Sequence, residues 1–260
     1  LPDLPFSSWC LDDHLCLSQV ETLPSPSIAV IGLGYVGLPL ALALARHHPV
    51  TAFDISKSRV AELNNGVDAT GEVPASEMAA STLVISDDAT AIKGADYFII
   101  TVPTPVDENN RPDLRHVIAA CATVGKAMKK GSVVVLESTV YPGVTEDVCG
   151  PELEAASGLT SGEDFFLGYS PERINPGDKE HSIDKITKVV AAQTPEETKK
   201  LPDLYRAINS RGGLGVGQSP ALGKLEGRGG RRHAGRVAWT SPEARPRVAE
   251  ATHGPLAALL

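Results

Sequence analysis

The chain has 260 residues, 42% hydrophobic and 22% charged, with a formal net charge of −8. The length can bury a full core without staples, and the composition excludes whole-chain disorder and a collagen-like or coiled-coil fibre. The longest apolar stretch, roughly Leu38 to Ala45, falls far short of the ~20 residues of a membrane span, and the acidic balance argues against a general nucleic-acid or membrane-surface binder.

Residues 1–27 carry Pro2, Pro5, Pro24 and Pro26 and no clear period, and read as a loose extension. Asp12, Asp13 and His14 interrupt what would be the apolar core of a signal peptide. With Leu1 rather than Met in first place, the chain reads as a fragment or a processed product. Cys10, Cys16, Cys121 and Cys149 form no C-x-x-C pair and no zinc-finger spacing, so they read as buried or unremarkable thiols of a reducing compartment, and no metal site is expected.

From Ile28 a regular alternation begins. Ile28–Ile31 suits a buried parallel strand, and Leu38–His47 is helical in composition. Val50–Phe53 is strand-like; Ser56 can cap a helix to about Asn65, ended by Gly66. Leu83–Ile85 and Tyr97–Val102 are further strands. Asp113 opens a helix to about Lys130, closed by Gly131, before a strand at Ser132–Leu136. Val144–Ser157 is helical, broken or kinked by Pro151. Phe165–Tyr169 and Ile186–Ala191 are the last strands, and Pro195 starts a helix reaching at least Ile208. Strands alternating with helices imply right-handed βαβ units, so the fold class is α/β, a doubly wound and mostly parallel sheet over residues 28–208.

Residues 209–260 differ. They hold 10 of the 24 glycines and no Ile, Phe, Tyr or Asp, and they carry a charge of +5 against −13 for residues 1–208. Their bases are 1 Lys and 7 Arg. Such an irregular tail offers little periodic apolar surface to offset chain entropy. It reads as a disordered basic tail for an acidic partner, as a poorly patterned piece of a folded domain, or as an out-of-frame translation, the last favoured by the abrupt Lys-to-Arg shift.

Gly32-Leu33-Gly34-Tyr35-Val36-Gly37 lies between the first strand and the first helix. In that setting G-x-G-x-x-G is a dinucleotide turn: Gly32 allows the tight bend, Gly34 admits a pyrophosphate to the backbone, and Gly37 lets helix and strand pack closely. The helix N-terminus then offers N–H groups to the phosphates. Asp54, 22 positions after Gly32, ends the next strand, where a carboxylate accepts from an adenosine ribose; a 2′-phosphate there would meet like charge, so NAD is favoured over NADP. Arg59 could lie over the adenine, neutralise Asp54 or be a solvated helix arginine. Three polar segments follow later strands: Thr101-Val102-Pro103-Thr104-Pro105, Glu137-Ser138-Thr139 and Ser170-Pro171-Glu172-Arg173-Ile174-Asn175-Pro176-Gly177. In the first, two prolines fix the backbone and two hydroxyls are expected to stay free for a ribose or phosphate. Ligands of open α/β sheets lie beyond the carboxyl ends of the strands, so three such loops point to one shared site.

IAVIGLGYVGLP, the Asp54/Arg59 pair, TVPTP, EST and SPERINPGD, in this order, resemble the UDP-glucose/GDP-mannose dehydrogenase family over about residues 28–208, and the SPER-x-x-PG form resembles its UDP-N-acetylhexosamine branch. The resemblance implies a Rossmann-like domain and oxidation of a sugar C6 alcohol to a carboxylate with reduction of two NAD⁺. It implies that Tyr35, Val36, Asp54, Arg59, Thr104 and Thr139 contact NAD, with Gly32, Leu33, Gly34, Gly37, Thr101 and Pro103 completing the cofactor site. It further implies that Thr139 lies near the reacting carbon, that Glu172 is the general acid/base, and that Glu172, Arg173 and Ile174 meet the UDP-sugar. The product would feed polysaccharide synthesis in the cytoplasm.

The family's catalytic Lys and Asn on a long joining helix, and its later Gly-Gly-His-Cys, do not occur here: no Cys follows Cys149, and the surroundings of Lys224, the one tail lysine, do not match. The chain therefore reads as the NAD-binding half, inactive alone, and the family's homodimer, built largely on that long helix, is not carried over to it. Two other readings are a non-catalytic NAD-binding module and a dehydrogenase of the 6-phosphogluconate or hydroxyacyl-CoA type; SPERINPG argues against the second.

Overall fold

Apolar runs of four residues, bounded by turn formers, leave the chain few ways to hide both faces of each strand except inside a sheet covered on both sides. The structure, a computed structural model, describes residues 25–106, 108, 111–172, 188–209 and 214–218. In chain order the elements are β1 (Ile28–Ile31), α1 (Gly37–Ala45), β2 (Val50–Phe53), α2 (Lys57–Asn64), α3 (Ala75–Ala79), β3 (Val84–Ser86) and β4 (Tyr97–Ile100). They continue with α4 (Arg115–Ala127), β5 (Val133–Leu136), α5 (Gly150–Ser157), β6 (Phe166–Tyr169), β7 (Lys188–Ala192), α6 (Pro195–Arg206) and β8 (Leu214–Gln218).

The strands form one sheet in the order β3-β2-β1-β4-β5-β6-β7-β8. All neighbouring pairs are parallel except β6 and β7, which run antiparallel. β2 lies on one side of β1 and β4 on the other, so β1 and β4 flank the point where the winding reverses, and a crevice opens there beyond the carboxyl ends. Two apolar layers cover the sheet. One joins α1, with Leu40 and Leu44 fully buried, to Leu201, Leu204 and Tyr205 of α6. The other joins Val117, Cys121 and Val124 of α4 to Leu153 ahead of the loop into β6.

The doubly wound, mostly parallel sheet expected from the sequence is what forms. β1 and β2 have the expected bounds, and Ser56 caps α2, its Oγ accepting the Arg59 N–H at 3.3 Å. Asp113 leads α4 from just outside it, Oδ1 accepting the Arg115 N–H at 3.0 Å. That helix stops at Ala127, short of the expected Lys130, because Met128 already has an extended backbone (ψ 163°). The expected helix Val144–Ser157 divides: Thr145–Cys149 is a π-helical turn, and α5 begins at Gly150 with Pro151 in its first turn, where a missing N–H costs nothing. The short α3 was not expected, nor was a strand after Ile208. β8 pairs in parallel with β7, Val190 opposite Val216, so the sheet runs on into the stretch whose glycines and charges suggested irregular chain. The sequence readings made of residues 1–24, 173–187 (including the first two residues of the expected strand Ile186–Ala191), 210–213 and 219–260 lie outside the described residues.

Candidate functional site

The turn after β1 is built by close approach. Gly32 has φ +97°, a left-handed backbone suited to glycine. Gly37 cannot carry a side chain: a Cβ there would lie 1.9 Å from the Gly32 carbonyl oxygen and 2.4 Å from Thr101 Oγ1. A Cβ on Gly34, in contrast, would meet nothing within 4 Å, so the turn faces open space where a pyrophosphate would approach. The N–H groups of Gly34, Tyr35 and Val36 donate to no carbonyl among the described residues, leaving the amino end of α1 as a set of anion donors. Leu33 and Val36 are buried, whereas Tyr35 is exposed.

Asp54 leaves β2 beside this turn. Its Oδ2 accepts the Leu33 N–H and its Oδ1 the Ser56 N–H, both at 2.8 Å. A carboxylate has about four acceptor positions, so two remain for a ribose. Arg59 does not neutralise Asp54. Its Nε donates to the Leu33 carbonyl at 2.9 Å and its Nη2 to Asp68 Oδ1 at 2.6 Å, in a pair that is mostly buried. Nor is it a solvated helix arginine: it ties the turn to the loop after α2. Burial pushes the Asp68 carboxyl up, but hydrogen bonds from Arg59, Thr70 and the N–H groups of Val73 and Thr70 outweigh that and hold it below its ordinary value.

The two hydroxyls expected to stay free are committed to backbone. Thr101 Oγ1 lies 3.0 Å from the Ile31 carbonyl and 2.8 Å from that of Gly32, binding β4 to the turn. Thr104 Oγ1 donates to the Thr139 carbonyl at 2.7 Å. Ser138 Oγ donates to the Val102 carbonyl at 2.7 Å and the Glu137 N–H to the Ile100 carbonyl at 2.7 Å. These bonds knit the loops after β4 and β5 into one wall, with Pro103 and Thr139 exposed along it. The physical reason is that loop carbonyls beside a buried sheet need donors, and short hydroxyl side chains are the nearest ones.

Glu172, two residues past Ser170, stands across from the turn: burial, then the Glu172 charge, pushes the Tyr35 hydroxyl above its ordinary value. The structure therefore brings Tyr35, Asp54, Thr101, Thr104, Thr139 and Glu172 to the carboxyl ends of successive strands. Arg173 and Ile174 lie outside the described residues. No cluster of three or more metal-ligating side chains occurs among the described residues.

Sequence reasoning missed a second group. Lys188, at the start of β7, is fully buried and pairs with buried Glu137, which also accepts from the Tyr205 hydroxyl at 2.8 Å. The signal was present: a lysine within a run that otherwise reads as a buried strand needs a carboxylate partner. Asp68 was missed too, although Asp68-Ala69-Thr70 has the spacing of a self-bonded turn.

Residues 26–209 match the family model of the UDP-glucose/GDP-mannose dehydrogenase family, NAD binding domain. Among curated proteins the chain is 50% identical over 186 residues to the UDP-N-acetyl-D-glucosamine 6-dehydrogenase of Pseudomonas aeruginosa, covering 71% of this chain and 44% of that protein. It is also 50% identical over 186 residues to Protein CapL of Staphylococcus aureus, covering 72% and 44%. Among solved structures it resembles the NDP-N-acetyl-D-galactosaminuronic acid dehydrogenase of Methanosarcina mazei Go1, with TM-score 0.68, 31% identity and coverage of 74% and 44%. It thus spans less than half the length of the curated relatives it matches.

Proposed function

The chain belongs to the UDP-glucose/GDP-mannose dehydrogenase family, whose NAD-binding domain it carries, and on that premise we propose that it is the cofactor half of a nucleotide-sugar 6-dehydrogenase acting on a UDP-N-acetylhexosamine. UDP-N-acetylglucosamine is the favoured substrate, because a relative with 50% identity is named for it. The product, a UDP-N-acetylhexosaminuronate, would serve cytoplasmic polysaccharide synthesis. Among the described residues no helix is long and apolar enough to cross a membrane.

The observation that carries this reading is the open approach to Gly34 beside N–H groups that donate to no carbonyl among the described residues, with Asp54 within reach of the same turn. Those residues suit NAD: the turn would hold the pyrophosphate, Asp54 the ribose, and Thr104, Thr139 and Pro103 the far wall. When bound, the nicotinamide supplies the acceptor for a hydride. Glu172 would then handle the proton near the sugar, and Tyr35 would close the cofactor on its outer side. By the family resemblance, lysine, asparagine and cysteine chemistry on the sugar and a homodimer would need a longer chain than the segment matched here.

The test is a fluorescence titration of the full chain with NADH, followed by incubation with NAD⁺ and each UDP-N-acetylhexosamine while NADH absorbance is read. Binding without turnover supports the cofactor half. No binding would overturn it, and turnover of a hydroxy acid supplied in a parallel incubation would favour another dehydrogenase class.

A further inference from the structure

A buried ion pair stands directly behind the proposed site. Lys188 and Glu137 have fully buried side chains, and the Tyr205 hydroxyl completes the Glu137 carboxylate at 2.8 Å. The Lys188 ammonium also lies 5.6 Å from the centre of the Tyr205 ring. Three elements meet here: the end of β5, the start of β7 and the last turns of α6.

The topology explains how they meet. Because β7 runs antiparallel to β6, its first residue, not its last, sits at the carboxyl ends of the parallel strands. Gly168 lies opposite Ala192 and Tyr169 opposite Ala191, so the start of β7 runs on past the end of β6, where Ser170 leads into Glu172. Leu136 lies opposite Tyr169, which sets Glu137 beside Ser170. The lysine thus reaches from β7 across β6 to the first residue of the Glu137-Ser138-Thr139 loop. A buried ion pair of this kind adds little net stability over apolar residues of the same volume, because desolvation offsets the attraction. What it supplies is direction, since each oxygen of Glu137 is fixed by a different donor.

We propose that Glu137 and Lys188, seated by Tyr205, are positioning residues: a clamp that sets the Thr139 loop relative to the Glu172 loop and so fixes the width of the cofactor wall. The inference rests on the reading of Thr139 and Glu172 as site residues.

The test uses the full chain labelled with carbon-13 at threonine methyls, Thr139 being assigned through Thr139→Ser. In Glu137→Met/Lys188→Met the core keeps its volume and loses both charges. The melting temperature is expected to stay near that of the wild type, while the Thr139 methyl signal shifts or broadens and that of distant Thr51 does not. NADH is expected to bind about tenfold more weakly. Lys188→Arg alone, which keeps the ion pair with Glu137, is expected to leave both readouts close to those of the wild type. Should the double variant fail to fold, Tyr205→Phe removes one donor to Glu137 and is expected to shift the same methyl signal. A Thr139 signal and an NADH affinity equal to wild type in the double variant, or an unmoved signal in Tyr205→Phe, would overturn the clamp. A wild-type chain unable to bind NADH would refute the cofactor reading instead, and the methyl signal would still decide the clamp.

Discussion

Two glycines three positions apart in the same turn do opposite things. Gly37 is required by the protein's own packing, since a Cβ would collide with the Gly32 carbonyl and Thr101 Oγ1, while a Cβ on Gly34 would meet only open space. Gly37→Ala should therefore cost stability, about 1–3 kcal/mol or more by overpacking, and abolish NADH binding with it. Gly34→Ala should leave stability within about 0.5 kcal/mol, as for changes that touch nothing, yet weaken NADH binding. Paired melting curves and NADH titrations check both. Asp68 gives a pH prediction at the same scale. Its pKa is lower folded than unfolded, so its contribution is fully present above the ordinary carboxylate value of 3.8 and is lost as pH falls through the folded value. Melting temperatures followed into acid should drop less steeply in Asp68→Asn than in the wild type. That variant should also bind NADH less well at neutral pH, because Arg59 loses its partner and with it the grip on the Leu33 carbonyl.

At the scale of elements, the sheet is held by apolar strands but aligned by polar bonds at its carboxyl ends. Thr101 joins β4 to β1, Ser138 and Thr104 join the loops after β5 and β4, and Lys188 joins β7 to β5. Removing one member of the buried pair should be far worse than removing both. Lys188→Met alone leaves the Glu137 carboxylate without its cation and should cost about 3–5 kcal/mol, whereas Glu137→Met/Lys188→Met should be close to neutral. Denaturant unfolding of the two variants measures the difference. The expected helix Val144–Ser157 shows the limit of pattern at this scale: Pro151 was seen to interrupt it, but not that a π-helical turn would precede the proline.

For the whole molecule, the order β3-β2-β1-β4-β5-β6-β7-β8 puts the strand-end residues of the proposed site, among those described, at one end of the sheet. The opposite end holds a cleft of about 530 Å³ whose lining includes His47, His48, Pro49 and Lys93. Hydrogen exchange with and without NADH should separate the two ends. Protection is expected at residues 32–37, 54–56, 101–104 and 138–140, and no change at 47–49 and 91–95. Protection around the histidines instead would move the ligand to the wrong end of the sheet.

The sequence by itself determined the strands and the turn. Four-residue apolar runs have nowhere to go but a covered sheet, and Gly32, Gly34 and Gly37 are spaced for a turn in which Gly32 and Gly37 are needed by the backbone and Gly34 by a ligand's approach. It also gave the order of the loops that carry Asp54, Thr101, Thr139 and Glu172, since in a doubly wound sheet loop order follows chain order. Only the tertiary structure decided which polar groups face the crevice. Thr101, Thr104 and Arg59 look available in the sequence, yet each is committed to a carbonyl or carboxylate of the protein itself. Lys188, which reads as one polar residue in an apolar strand, meets Glu137 across 51 positions of chain. That meeting depends on the reversal of β7, and β8 likewise depends on β7 offering it an edge. A local pattern sets what a segment can form; the desolvation of each polar group, and so its partner, is fixed only when distant segments close over it.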